Sequence, residues 1–329
     1  MKNKIFFSVL LAALIASNAQ SQTIRRVSNA LGAGAPYSTI QDALTAAVNG
    51  DIILVEGSPT AYSGAISLTK QVTIQGPGYF LDQNIGLQAN LNEASMGSIS
   101  FNAGSAGSTV RGMRTAGIIV NVSNITFSNN YIVGLLDINT ASNNIVISGN
   151  YASSIIRSFA NVTSLLVSNN YLGGGISFSL SVTVLGVVTN NVIALGGSGY
   201  YLQNSTITNN IFLATGTTIG NTLNSTIQNN VFVSASQADA DATNVFGATA
   251  ANLFVGLTGN TTDTQWKLKP GSLAIGAGAG GTDCGMYGGT TPYKISGIMT
   301  GQPTITNFTT PGTVPANGTL NVKVSAKVN

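Results

Sequence analysis

The sequence predicts an all-β fold: a right-handed, single-stranded parallel β-helix, a solenoid whose N-terminal end is closed by a short capping helix. Three observations carry this expectation. A motif recurs about every 20 residues. Strand-like runs rich in β-branched residues alternate with Asn, Ser and Gly. The composition is 43% hydrophobic but only 7% charged, so a sizeable core must sit beneath a polar, uncharged exterior.

The repeat sets the register. It runs Asn124-Ile-Thr-Phe-Ser-Asn-Asn130-Tyr, then Asn144-Ile-Val-Ile-Ser-Gly-Asn150-Tyr, Ser164-Leu-Leu-Val-Ser-Asn-Asn170-Tyr and three further copies. Their last Asn falls at Asn130, Asn150, Asn170, Asn191, Asn210 and Asn230, with spacings of 20, 20, 21, 19 and 20 residues. The Leu-x-x-Leu-x-Leu frame of a leucine-rich repeat is absent, and no helix-forming run separates the strands. If coils stack at the strand spacing of about 4.8 Å, each sequence period becomes a column in space. Strand alternation then sends Phe127, Ile147, Val167, Val188, Ile207 and Ile227 inward, together with Ile132, Ala152, Leu172, Ile193, Phe212 and Phe232. The six Asn form a corner ladder, each amide donating to the next carbonyl.

Both ends of such a stack need covering. Ser38-Thr-Ile-Gln41 reads as a capping box, and Ile40, Ala43, Leu44, Ala47 and Val48 as one apolar helical face lying over the first coil. The chain divides into residues 1–21, residues 22–290 as the capped β-helix, and residues 291–329 as an extended segment ending in a strand. In the last, Leu320, Val322, Val324, Ala326 and Val328 alternate with Lys323 and Lys327, the pattern of a half-buried strand, and Pro303, Pro311 and Pro315 favour an extended connection before it. Residues 1–21 have the order of a signal peptide: Lys2 and Lys4, the apolar run Ile5–Ala16, then small residues. The run is too short to cross a bilayer, and no longer one follows. The expected localisation is secreted, whether extracellular, periplasmic or at the cell surface, without membrane insertion. Cys284 is the single cysteine, so stability must come without an internal disulfide. Of 13 bases, Lys2 and Lys4 fall in the leader, which leaves 11 against 10 acids and gives no warrant for nucleic acid as a partner.

Three segments together resemble the pectate-lyase-like superfamily of secreted parallel β-helix proteins. Tyr37-Ser-Thr-Ile-Gln-Asp-Ala-Leu through Gly50-Asp-Ile-Ile-Leu-Val to Val72-Thr-Ile-Gln-Gly76 is similar to its N-terminal end, and the Asn-rich coils resemble its repeats. Lys269-Pro-Gly-Ser-Leu-Ala-Ile-Gly-Ala-Gly278 with Gly281-Thr-Asp-Cys-Gly285 resembles the closing segment of bacterial members. The resemblance implies the fold. It leaves function open, because the superfamily holds lyases, hydrolases, epimerases, adhesins and phage tailspikes.

Catalytic chemistry finds few carriers. The chain has no His, and between Thr115 and Ser236 the only charged side chains are Asp137 and Arg157. That supplies neither the several oxygen ligands of a calcium site nor the two carboxyl groups of a glycosidase. Asp137 and Arg157 lie at equal offsets from their ladder Asn and should form an exposed ion pair. Asp239 and Asp241 read as a solvated turn, Arg111 and Arg114 as a place for an anionic sugar or a solvated strand end. An ice-binding face would need an unbroken Thr column, and Thr126, Thr206 and Thr226 are interrupted. Tyr131, Tyr151 and Tyr171 follow their ladder Asn directly and should form an outward aromatic platform for a sugar ring, or a structural stack over that flank. The expectation is a non-catalytic carbohydrate-binding protein, adhesin or envelope scaffold with no cofactor and no metal. The alternative is a polysaccharide lyase or glycoside hydrolase with a site around Asp82, Glu93, Arg111 and Arg114.

Overall fold

The structure is a computed structural model that describes residues 22–179, 181–194, 203–216, 219–220, 222–299, 301 and 303–328. The signal-peptide segment lies outside these residues. The described chain is a parallel β-solenoid. Its coils contribute strands to a first sheet of ten strands, a second of eight and a third of six, all parallel. A separate two-stranded antiparallel ribbon lies near the C-terminus.

The coils keep the sequence register. Phe127 pairs with Val110 and Ile147, and the column continues through Val167, Val188, Ile207 and Ile227, all buried in the interior. Ile132, Ala152, Leu172, Ile193, Phe212 and Phe232 form the facing column, where Phe212 and Phe232 stack at 4.7 Å and Phe246 closes the series. The six ladder Asn are fully buried at the corner between the first two sheets. Each Nδ2 donates to the Oδ1 of the next, as Asn130 does to Asn150 at 3.1 Å and Asn210 to Asn230 at 3.0 Å, and Asn244 adds a seventh rung. The same Nδ2 also donates to a core carbonyl of a neighbouring coil, such as Ile147 O for Asn170. Each Oδ1 takes in addition the backbone amide of the preceding rung. The amides thus satisfy the rung N–H, a backbone donor at this corner that takes a side-chain rather than a backbone acceptor.

The residue before each rung explains the sharp turn. Asn129, Gly149, Asn169, Asn190, Asn209 and Asn229 all have φ between 54 and 66°, the left-handed region that Asn and Gly tolerate best. A second left-handed column, Asn124, Asn144, Ser164, Asn204 and Asn224, lies just before or within the first turn-side residues of the first-sheet strands, with exposed amides bonded from Asn144 to Asn124 and from Asn224 to Asn204.

The N-terminal end is capped as expected in kind, with a shift of one residue. The helix spans Ile40–Ala46 and its N-cap is Thr39, whose Oγ1 accepts from Asp42 N, so the box is Thr39–Asp42 and not Ser38–Gln41. Ile40, Ala43, Leu44 and Ala47 are buried over the first coils. Val48 is exposed because the backbone turns extended at Ala47. Beneath it, buried Asp51 joins the first strand, Ile24–Val27, to the second, Ile52–Val55. Burial alone would raise its carboxyl pKa, but the Val48 amide, the Arg25 guanidinium and the Thr23 amide outweigh that and hold it below the ordinary value.

The C-terminal strand departs from expectation. Lys323–Val328 pairs with Pro303–Thr309 as a hairpin ribbon on the outside of the body, and Leu320, Val322, Val324 and Val328 are exposed rather than half-buried. The alternation is real, but the strand has only one neighbour and no layer to face.

Candidate functional site

The site is defined by what covers the second sheet. Its outer column reads Ser95, Arg114, Tyr131, Tyr151, Tyr171, Val192, Ile211 and Val231, each paired to the next across one coil. Alternation sends all of these outward from the coil interior, as the sequence implied for the three Tyr. They do not form an open platform. After the last coil the chain turns back and residues 245–298 run over the second sheet toward its beginning. Met286, Ala274 and Cys284 bury Val192, Ile211 and Val231 in a second apolar core outside the coils. Burial pushes the Cys284 thiol up to about 12, so it stays an unreactive thiol. Trp266 stacks on Tyr171 at 4.6 Å, Tyr171 on Tyr151 at 4.4 Å, and Phe80 meets Tyr151 edge-on at 5.2 Å. Tyr151 is only 6% exposed, and burial drives its phenol pKa well up. The stack is a structural flank, and a sugar ring has no face to lie on at Tyr151.

The track that holds this returning arm is the left-handed Asn column, which the sequence reading passed over in favour of the second Asn of each pair. Cys284 Sγ donates to Asn229 O, Gly285 N to Asn209 O, Asn190 Nδ2 to Asp283 O, and Asn169 Nδ2 to Met286 O and Gly288 O. At the far end Gly297 lies so close that a Cβ would sit 2.5 Å from Asn129 O. The signal was available: a corner needing only a left-handed residue accepts Gly, yet this one keeps Asn in all but one coil, which points to a use for the amide. The arm is locked by Tyr79 and Tyr293, whose hydroxyls are 2.7 Å apart, and by buried Asp263, which accepts from Ser296 N, Thr261 Oγ1, Asn84 Nδ2 and Tyr293 OH.

Where the cover stops, the column opens. Ser95, Arg114 and Tyr131 line a cleft of about 470 Å³ whose other walls are the loop through Phe80, Asp82 and Gln83 and the segment around Asn92 and Glu93. Arg114 Nη1 lies 3.2 Å from Glu93 Oε1, and its guanidinium carbon sits 5.5 Å from the Tyr131 ring centre, within cation–π range. Phe80 packs on the other side of Tyr131 at 4.7 Å. Burial raises the Glu93 carboxyl above its ordinary value, Arg114 pulls it back, and Asp82 raises it further.

The structure brings Asp82, Glu93, Arg114 and Tyr131 together and leaves Arg111 apart. Arg111 projects from the first sheet, on the other side of the Gly112–Met113 corner, with both Nε and Nη2 donating to Gln75 Oε1. The two arginines therefore do not form one anion site. Asp137 and Arg157 sit on adjacent third-sheet strands as a two-pronged pair, 2.7 and 2.8 Å. Asp241 serves the turn that carries the seventh rung, accepting from Thr243 N, and Asp239 accepts from Thr222. Fold and site together describe a parallel β-helix whose second sheet is roofed for most of its length and open at one cleft. No protein-family model, no curated protein and no solved structure gives a significant match to the chain.

Proposed function

We propose that this is an exported β-helix protein that binds carbohydrate in the cleft between Tyr131, Arg114, Glu93 and Asp82. The observation that carries the reading is the composition of that cleft: an aromatic edge beside a half-buried ion pair, with the Asn92 and Gln83 amides and the Ser58 hydroxyl around it. Sugars are held by this combination of aromatic edge and convergent polar groups. The fold suits the role because stacked coils hold Arg114 and Tyr131 on neighbouring strands, with the other cleft residues on the loops around them. The resemblance of the N-terminal and closing segments to the pectate-lyase-like superfamily, whose members act on or adhere to extracellular polysaccharides, agrees with it. The test is a glycan panel with the full chain, followed by titration calorimetry. Tyr131→Ala and Arg114→Ala should each weaken binding by about tenfold, while Thr206→Ser on the first sheet leaves it unchanged. Binding indifferent to both cleft variants would remove the cleft from the function and leave a scaffold.

One observation favours a catalytic second reading. Glu93 is held toward its protonated form next to a second carboxyl, Asp82, an arrangement that a glycoside hydrolase uses for its acid. Release of reducing ends that is lost in Glu93→Gln would establish it.

A further inference from the structure

We propose that the cleft selects sugars carrying a free, protonated amino group, and that it disfavours the uronates. The inference rests on the carbohydrate reading above and adds the charge of the ligand. Three charged side chains line the cleft, Asp82, Glu93 and Arg114, and Arg114 is already paired with Glu93. Asp82 is exposed and makes no ion pair among those described, so the lining carries one net negative charge. The second cation that a uronate would need is absent from this surface, because Arg111 lies round the corner on Gln75.

An incoming ammonium meets Asp82 and the outer oxygen of Glu93, while its ring lies against Tyr131. A carboxylate in the same position meets Asp82 with no unpaired cation beside it in the cleft lining.

The experiment compares three oligomers of equal length on the full chain at mildly acidic pH: β-1,4-linked glucosamine, its N-acetylated counterpart, and galacturonate. The expected order of affinity is glucosamine, then the acetylated oligomer, then galacturonate, with the first two separated on the order of tenfold and the gap closing as salt is added. Asp82→Asn, at an exposed position, should remove most of that gap, while Thr206→Ser on the first sheet leaves both affinities and the gap unchanged. Equal binding of the amino and acetylated oligomers would overturn the charge preference and leave the carbohydrate reading standing. Tighter binding of galacturonate would reverse it. Binding of none of the three, nor of any member of the wider panel, removes the carbohydrate reading and this inference with it.

Discussion

The molecule has two cores built on opposite principles. Inside the coils, side chains stack on their own equivalents, so one residue type can serve a whole column, as the Asn ladder and the Phe212–Phe232–Phe246 stack show. Outside the second sheet, the same periodic column from Tyr151 to Val231 is covered by a segment with no period at all, and each contact is particular: Trp266 on Tyr171, Cys284 near Val231, Gly297 against Asn129. A column that points outward is therefore not a column that meets solvent. What meets solvent is decided by where the aperiodic cover ends, and it ends at Tyr131.

The largest expected effect is on the inner core. Asn170→Ala removes the acceptor for both the N and Nδ2 of Asn150, and the donor to Ile147 O, at a fully buried corner. Chemical denaturation should show a loss of about 3–5 kcal/mol. A loss below about 1 kcal/mol would mean that the ladder is ornament and the apolar columns alone hold the coils. For the outer core, Trp266→Ala removes the stacking partner of Tyr171 and should cost about 2 kcal/mol. Its signature should be local: faster amide exchange at Gly285 and Ser296, with the ladder amides still protected. Global loss of protection would show that the two cores are one unit.

The third-sheet pair tests the surface against both. Asp137→Ser should lower stability by no more than about 1 kcal/mol, and less in high salt, because the pair is partly solvated. The smallest effect is at the cleft. Glu93 is raised in the folded chain, so the native state binds the proton more tightly than the unfolded one, and Glu93 favours folding at low pH. That contribution is lost as pH rises from the ordinary Glu value of 4.5 through the folded value. Glu93→Gln should flatten this part of the stability profile. Carbon NMR of the carboxyl should show Arg114→Ala moving its titration higher and Asp82→Asn moving it lower.

The comparison also explains how much was legible in the sequence. Register, interior columns and ladder follow from a period of about 20, since stacking turns sequence repetition directly into neighbourhood. The Tyr column was legible as outward, but whether it was an open platform or a covered stack was not, because Phe80 and Trp266, which pack on it, belong to segments without repeat and lie far away in the chain. The same holds for the cleft. Asp82, Glu93 and Arg114 could be grouped as irregular-coil charges, but Arg111 differs from Arg114 only by lying before a corner rather than after it. Three residues of sequence separate two faces of the solid. The exposure of the terminal strand was not legible for the opposite reason: its alternation is strong, but alternation states that a strand has two unlike faces, not that something within the chain is packed on one of them.

The bond between Tyr79 and Tyr293 joins residues 214 apart in sequence. A bare solenoid behaves as a line of neighbours, able to fray from an end one coil at a time. Here the last part of the body is fastened beside the early coils, so the line is bent into a loop whose fastening comes late in synthesis. Opening at the far end must break contacts near the beginning, which couples the melting of distant coils into a single event. It also makes assembly slow, because the closing contact spans most of the chain and cannot form until the C-terminal segment is available. The fold would then remain open until almost all of the chain has been synthesised.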